Sequence, residues 1–430
     1  MIVPQPLASA VSAHVGVVPR VEHCLASTSD GRFPSCVSWV AADERALGSP
    51  IGDAASASGF GRSAFEAASA AVGEALERYS ASFVPHERLV HATANELGAD
   101  AVRPERFALF AQWQYAQPGF PLQPFHDQLR VPWVRGRAID SGVGAWLPAE
   151  LVYLGAVPGA ARIGYATSSG AACAATEEEA VVRGLFELLE RDAFMIAWRC
   201  RLSLPLLEWR GHAKLRALDD RYFAPTGLHY AAVDLSAVHD VPSVLAVVTH
   251  PPGSPGPIGV GAGTSATVGV AWWKALSEAF AAHAAAARLA VLDPDPPAPD
   301  DVQGFDDHIR YFAFPERAAA AAFLHGSTDR VDVRDVRPLP RGVAGATRQL
   351  LDRIERAGSS AYAVDVTAPD VAGLGLHVVK TIAPELCPLD APHRARFLGG
   401  SRLRRAAFDL GLVPRPLAVE ELNPEPHPFP

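Results

Sequence analysis

The sequence predicts a mixed α/β (α+β) fold carrying three quasi-repeated loop-then-helix units, and three observations lead there. Extended apolar stretches ("VPWVRGRAI", "LHYAAVDLS", "PSVLAVVTH") alternate with Ala-rich helical ones near residues 64–81, 177–198 and 270–291. "GEALERYSA" at 73–81 carries the spacing E-x-x-E-R, and "FELLERDAF" at 186–194 repeats it 113 positions later. Each Ala-rich stretch also follows a Gly/Ser/Ala-rich segment that reads as a loop: "SASGFGRS", "TSSGAACAAT" and "GVGAGTSAT".

The repeat extends beyond the charged signature. Ser63 matches Thr176, Glu66 matches Glu179, Ala67 matches Ala180, Glu74 matches Glu187, Leu76 matches Leu189, Glu77 matches Glu190 and Arg78 matches Arg191, without a gap. A third copy, 91 positions further on, keeps Thr267, Ala271 and Glu278 and sets Lys274 against Arg183, but has Ala281 and Ala282 in place of the second Glu and the Arg. "SAFE" and "TEEE" fit the capping box that satisfies free N–H groups at a helix start. That is a full structural reading of Glu66, and it competes with a ligand reading of Glu179. "DPDPPAPDD" at 293–301 excludes helix and central strand, and reads as a surface loop or module boundary.

Composition narrows the function. A chain of 430 residues, 49% hydrophobic, has enough apolar surface for a large core. A formal net charge of −9 gives no field that would draw nucleic acid or anionic membrane. No uncharged apolar run reaches the roughly 20 residues of a membrane span, and "MIVPQPLASAVSAHV" lacks a basic n-region, so a cytoplasmic protein is expected. Cys24, Cys36, Cys173, Cys200 and Cys387 form no C-x-x-C pair and are expected to be buried free thiols. A P-loop, an H-E-x-x-H zinc motif and a G-x-S-x-G elbow are all missing from the sequence.

The E-x-x-E-R segments are therefore the chemical signal. On a helix Ala67, Glu74 and Arg78 fall within about 40° of one another, with Glu77 beside them. A solvated face of i, i+3 and i, i+4 charges is the ordinary account of such spacing. The flanks "AASAAVG" and "AVVRGLF" instead suggest burial on nearly all sides. Buried carboxylates repel and lose hydration unless cations compensate, and a magnesium-bound polyphosphate supplies that compensation.

"SAAVGEALERYSA", "TEEEAVVRGLFELLERDAF" and "WKALSEA", in that order, resemble the three ATP-site segments of the YcaO superfamily. The tail "NPEPHPFP" resembles the proline-rich C-terminus of its azoline-forming cyclodehydratases, the SagD-like D proteins of thiazole- and oxazole-containing ribosomal peptides. "VPWVRGRAIDSGVGAWLPAELVYL" and "VDVTAPDVAGLGLHVVKTIAPELCPL" are also family-like, so the resemblance covers most of the chain from about residue 20.

The resemblance implies a single domain over 1–430, its loop-helix units arranged around an ATP/Mg²⁺ site. Glu74, Glu77, Glu187 and Glu190 would be the metal carboxylates. Glu179, Glu278, Arg78, Arg191 and Lys274 would contact ATP or organise the carboxylates. The tail 423–430 would thread inward and set the Pro430 carboxylate near the site, to orient reacting groups or assist proton transfer. Two departures stand out: Ala175 where members often have Asn, and Ala282 where they often have Gln.

The implied reaction is attack of a precursor peptide's Cys, Ser or Thr on the preceding amide carbonyl. ATP then phosphorylates the amide oxygen, and loss of phosphate leaves an azoline. Rival readings are thioamide or amidine formation, which the proline tail disfavours, and a non-catalytic precursor-binding scaffold, which retention of all four paired glutamates disfavours. No leader-binding segment precedes the family-like region, so a ThiF-like leader-binding C protein is an expected partner. A flavin dehydrogenase is a further one, and a homodimer is compatible with the resemblance.

Overall fold

The three Ala-rich stretches are helices: α1 (Ala64–Ser82), α2 (Glu177–Arg199) and α3 (Val268–Leu292). The computed structural model describes residues 3–25, 30–41, 56–159, 161–251 and 256–430. The chain divides into two units, the first of Met1–Leu25, Phe33–Leu188 and Gly342–Leu386, the second of Ala26–Arg32, Leu189–Arg341 and Cys387–Pro430. The division falls within α2.

In the first unit, Arg20–His23, Ser35–Trp39 and Ser56–Phe60 form an antiparallel three-stranded sheet in chain order. A second antiparallel sheet runs Val90–Ala92, Val131–Ala138, Tyr362–Asp365, His377–Ile382, Ala171–Ala174, with Gly144–Pro148 also paired to Val131–Ala138. The small-residue face of α1, Ala67, Ala71, Val72 and Ala75, is fully buried in this unit's core beside Val364 and Val378. In the second unit the order is Gly259–Thr264, Ser243–Thr249, His229–Asp234, Leu206–Glu208, Arg330–Asp332, antiparallel except for the last pair. The apolar stretches read as extended are thus strands.

The segments that read as loops are largely strands too, which corrects the loop-then-helix description to strand-then-helix. Ser56–Phe60, Ala171–Ala174 and Gly259–Thr264 lie within them. Their Gly and Ala lack the β-branched signature of strands, and the reason lies in the packing. A Cβ at Gly59 would stand 2.2 Å from the Ala67 carbonyl oxygen of α1, and one at Gly263 2.2 Å from that of Ala271 in α3. Glycine lets strand backbone lie directly on the following helix.

Helix starts are capped through the predicted hydroxyls. The Glu66 N–H donates to Ser63 Oγ (3.2 Å) and the Glu179 N–H to Thr176 Oγ1 (3.2 Å). The Glu66 carboxylate accepts from the Arg62 N–H (2.9 Å), one residue before the cap, so the reciprocal half of the box is shifted.

Residues 293–301 lie inside the second unit and do not mark a module boundary. Four cysteines are buried and free as expected, whereas Cys24 is exposed. By length and composition alone α3 passes for a membrane span, with a mean hydropathy of 1.3. Ala271, Ala275 and Ala279 of that helix are fully buried, and their backbone lies under the glycines of Gly259–Thr264.

Directly after the second E-x-x-E-R, Asp192 is fully buried. It accepts hydrogen bonds from the Cys387 N–H (2.8 Å), His239 Nε2 (2.8 Å) and the Arg402 guanidinium (2.7 and 2.8 Å). Although burial opposes ionisation, Arg402 and His239 hold its carboxyl well below the ordinary 3.8. Its stabilising contribution is therefore complete above about pH 4 and is lost as pH falls below that. Asp192→Asn leaves Arg402 without its counter-charge, and is expected to destabilise this unit by about 3–5 kcal/mol, read as a lower urea midpoint.

Candidate functional site

The paired glutamates are tied to the small-residue strands by a repeated pattern. The first Glu of each signature binds backbone just upstream of its own helix. Glu74 accepts from the Ser58 N–H, Glu187 from Gly170 (3.2 Å), and Glu278 of the third copy from Ala262 (2.8 Å). The second Glu reaches the strand of the following copy: Glu77 Oε1 accepts from Cys173 (2.8 Å) and Glu190 Oε2 from Thr264 (2.5 Å). The quasi-repeat is thus one of geometry as well as of sequence. A carboxylate offers about four acceptor positions, so one backbone N–H leaves each free to take a cation or another donor.

In the first unit Glu74, Glu77 and Glu187 interact electrostatically. Burial, with the like charges of Glu74 and Glu187, pushes the Glu77 carboxyl up to about 8, against the pull of the Cys173 N–H and Arg183. Burial also raises Glu74, against Arg78. Glu74 nonetheless keeps 34% of its side chain accessible, and Glu77 and Glu187 are only partly buried. The resident cations are engaged locally. Arg78 donates to Glu74 (2.7 Å) and to the Ser56 carbonyl (2.9 Å), and Arg183 donates to the Cys173 carbonyl (2.9 Å).

Lys380, one of three lysines in the chain, is buried in the strand His377–Ile382. Its Nζ donates to the carbonyls of Thr167 (2.6 Å) and Ser169 (2.5 Å). Burial lowers it to about 8 even with Glu187 nearby. Lys380 and Arg183 are the site residues that motif reading passed over. A lone Lys in the apolar run "HVVKTI" was one signal, and the alignment of Arg183 with Lys274, each four residues before its glutamate, was the other.

In the second unit Glu190 is buried and lies 3.5 Å from Arg191. The Arg191 guanidinium sits over the Phe429 ring at 4.3 Å, and Phe429 packs on Phe194 with centroids 4.8 Å apart. The penultimate residue of the proline-rich segment thus meets the Arg of the second signature, with Pro430 beside it. Lys274 is exposed on α3 and Glu179 is partly exposed at the start of α2. A cavity of about 670 Å³ opens beside Glu178, Arg137 and Leu351, and none of these candidate residues lines it.

Among the described residues, no three His, Cys, Asp or Glu side chains form a group that could hold a metal ion by themselves. A magnesium ion at a nucleotide takes one or two carboxylates and completes its shell with phosphate oxygens and water, so a closed protein cage is not required. The donor set is all oxygen, and the like charges of Glu74 and Glu187 add to burial in raising Glu77. The residues fit magnesium and a polyphosphate.

Comparisons with known proteins agree. The family model described as YcaO cyclodehydratase, ATP- and Mg²⁺-binding, matches residues 58–387. Comparison with curated proteins finds no match. A heterocyclase solved in complex with substrate and cofactor superposes with a TM-score of 0.79 at 23% identity, covering 99% of this chain and 56% of that one. The heterocyclase TruD gives 0.66 at 25% identity, covering 84% and 50%. The YcaO protein of Methanopyrus kandleri, bound with AMPPCP and Mg²⁺, gives 0.60 at 19% identity, covering 86% of each chain. The chain spans about half the length of the first two heterocyclases. With three quarters of its residues inside the family match, the chain belongs to the YcaO family, which binds ATP and Mg²⁺.

Proposed function

We propose that this protein is an ATP-dependent cyclodehydratase that converts Cys, Ser or Thr residues of a ribosomally made precursor peptide into azolines. The observation that carries the reading is the partly accessible carboxylate group of α1 and α2, Glu74, Glu77 and Glu187, with Glu77 pushed up to about 8. Such a group is poorly stable alone and is completed by a cationic ligand. The likeness to heterocyclase folds supports the same reading.

In the proposed reaction the side-chain S–H or O–H adds across the preceding amide carbonyl, forming the new C–S or C–O bond. The former amide oxygen then takes the terminal phosphoryl group of ATP, and ADP leaves. Breaking the C–O bond releases phosphate, and loss of the nitrogen proton gives the C=N of the ring. Glu74, Glu77 and Glu187 would hold Mg²⁺, and Glu190 is proposed as a further metal carboxylate. When bound, the ion offsets charge on the phosphate oxygens during transfer. Arg78 keeps Glu74 in place, Arg191 orients Glu190, and Glu179, Lys274 and Glu278 are available to the nucleotide. Lys380 fixes the backbone at Thr167–Ser169, from which the adjoining Gly170 N–H reaches Glu187.

Precursor-dependent formation of ADP and phosphate, one of each per ring, tests the reading. ATP consumption without ring formation would contradict it. The expected setting is the cytoplasm, with delivery of the precursor by a ThiF-like leader-binding partner and ring oxidation left to a flavin dehydrogenase. Adding that partner should raise the cyclisation rate through effective concentration. Full activity of the isolated chain on leader-free peptide would count against this dependence.

A pH dependence follows. At pH 7 Glu77 is largely protonated, so binding of Mg²⁺ and nucleotide must expel its proton. Affinity should rise toward about pH 8 and turn over above it, where Lys380 loses its charge. Calorimetry in buffers of different ionisation enthalpy should register the released proton, and a pH-independent affinity would contradict the assignment.

A further inference from the structure

The proline-rich segment 423–430 is held by a charged device that the reaction itself does not require. Pro424, Pro426 and Pro428 have no N–H, so this stretch cannot secure itself through a regular ladder of backbone bonds. Its carbonyls are taken by side chains instead. Arg199, the last residue of α2, is fully buried, and its Nη1 donates to the carbonyls of Asn423 (2.8 Å) and Glu425 (2.9 Å). Its Nη2 donates to the buried carboxylate of Asp390, and its own carbonyl accepts from the Asn423 N–H (2.7 Å). Trp198 Nε1 adds a bond to the Glu425 carbonyl (3.3 Å). Two residues on, His427 is fully buried, stacked on His308 with centroids 3.8 Å apart, and its Nε2 meets the Asp390 carbonyl (2.8 Å).

Irregular segments ordinarily run over the surface, and a fully buried ion pair is a costly way to secure one. The register explains the investment. Arg199, Trp198, Phe194 and Arg191 all lie on α2. Eight helical residues from Arg199 back to Arg191 span about 12 Å. At the polyproline II rise of about 3.1 Å per residue, the four steps from Glu425 to Phe429 would also cover about 12 Å. The rod, gripped at Glu425, therefore reaches Arg191 with Phe429.

We propose that Arg199 is a positioning residue: with Asp390 and the His308–His427 stack it indexes the proline-rich segment against α2, so that Phe429 and Pro430 are delivered to Arg191 and Glu190. This rests on the reading that the segment takes part in cyclisation, and goes beyond it by stating what sets its reach.

The test is a pair of insertions. One glycine after His427, beyond the grip, shifts the end by about 3 Å. It is expected to lower the cyclisation kcat about 10²-fold with the KM for ATP unchanged, as a misplaced reacting group does. One glycine after Pro414, in an exposed stretch before the grip, should leave kcat within about twofold, because Arg199 resets the register. Equal effects of the two insertions, large or small, would overturn the proposal.

The double variant Arg199→Gln with Asp390→Asn removes both charges together, so neither is left buried alone. It should keep the melting temperature near wild type, speed hydrogen exchange at the Glu425 and Phe429 amides about tenfold or more, and abolish the difference between the insertions. Unchanged exchange would overturn the proposal. The exchange readout is independent of the reaction. If the wild-type chain makes no azoline, the proposed function fails, while faster exchange in the double variant still supports the grip.

Discussion

Glu77→Gln and Glu190→Gln are each expected to lower ATP-dependent cyclisation about 10²–10³-fold while leaving the fold intact. The fold should survive because the amide oxygen of Gln still accepts from the Cys173 or Thr264 N–H that ties each side chain to its strand. For Glu77 the match is closer still. With its carboxyl pushed up to about 8, the ligand-free protein already holds this group mainly in its neutral form at pH 7, which Gln imitates. The loss should appear only when a cation is to be bound. Wild-type cyclisation by both variants would remove these residues from the site. Loss of folding in either would assign them a purely structural role.

Removing Phe429 and Pro430 is expected to lower cyclisation about 10²-fold while nucleotide binding survives. Phe429 is fully buried against Phe194 and Arg191, and its loss removes the ring that covers the Arg191 guanidinium, 3.5 Å from Glu190. The upstream segment stays held by Arg199, so the effect should be confined to the reaction. Phe429→Ala should fall between the deletion and wild type. Full cyclisation by the deleted chain would return residues 423–430 to a structural role.

The long helices were legible because their Ala periodicity and Ser/Thr caps are local properties, and their ends fall within about two residues of expectation. The strands before them were not. Gly59 and Gly263 carry no β propensity, and their strand conformation becomes intelligible only when α1 and α3 lie against them. The same holds for the site. E-x-x-E-R declared its carboxylates, but the division of labour within each pair, with Glu74 bound to its own strand and Glu77 to the next, depends on contacts between copies. Lys380 and the Arg199–Asp390 pair belong to no motif. Each is a buried charge whose partners lie far along the chain: about 210 residues for Lys380, 191 for Arg199. Such pairing is invisible to local pattern.

The central claim is that the amide oxygen leaves the peptide as phosphate. A precursor carrying an oxygen-isotope label in the carbonyl preceding its Cys, Ser or Thr, incubated with this protein, its leader-binding partner, Mg²⁺ and ATP, tests it directly. The account predicts that the label appears in inorganic phosphate, one atom per ring formed. Label recovered in water, with unlabelled phosphate, would contradict it.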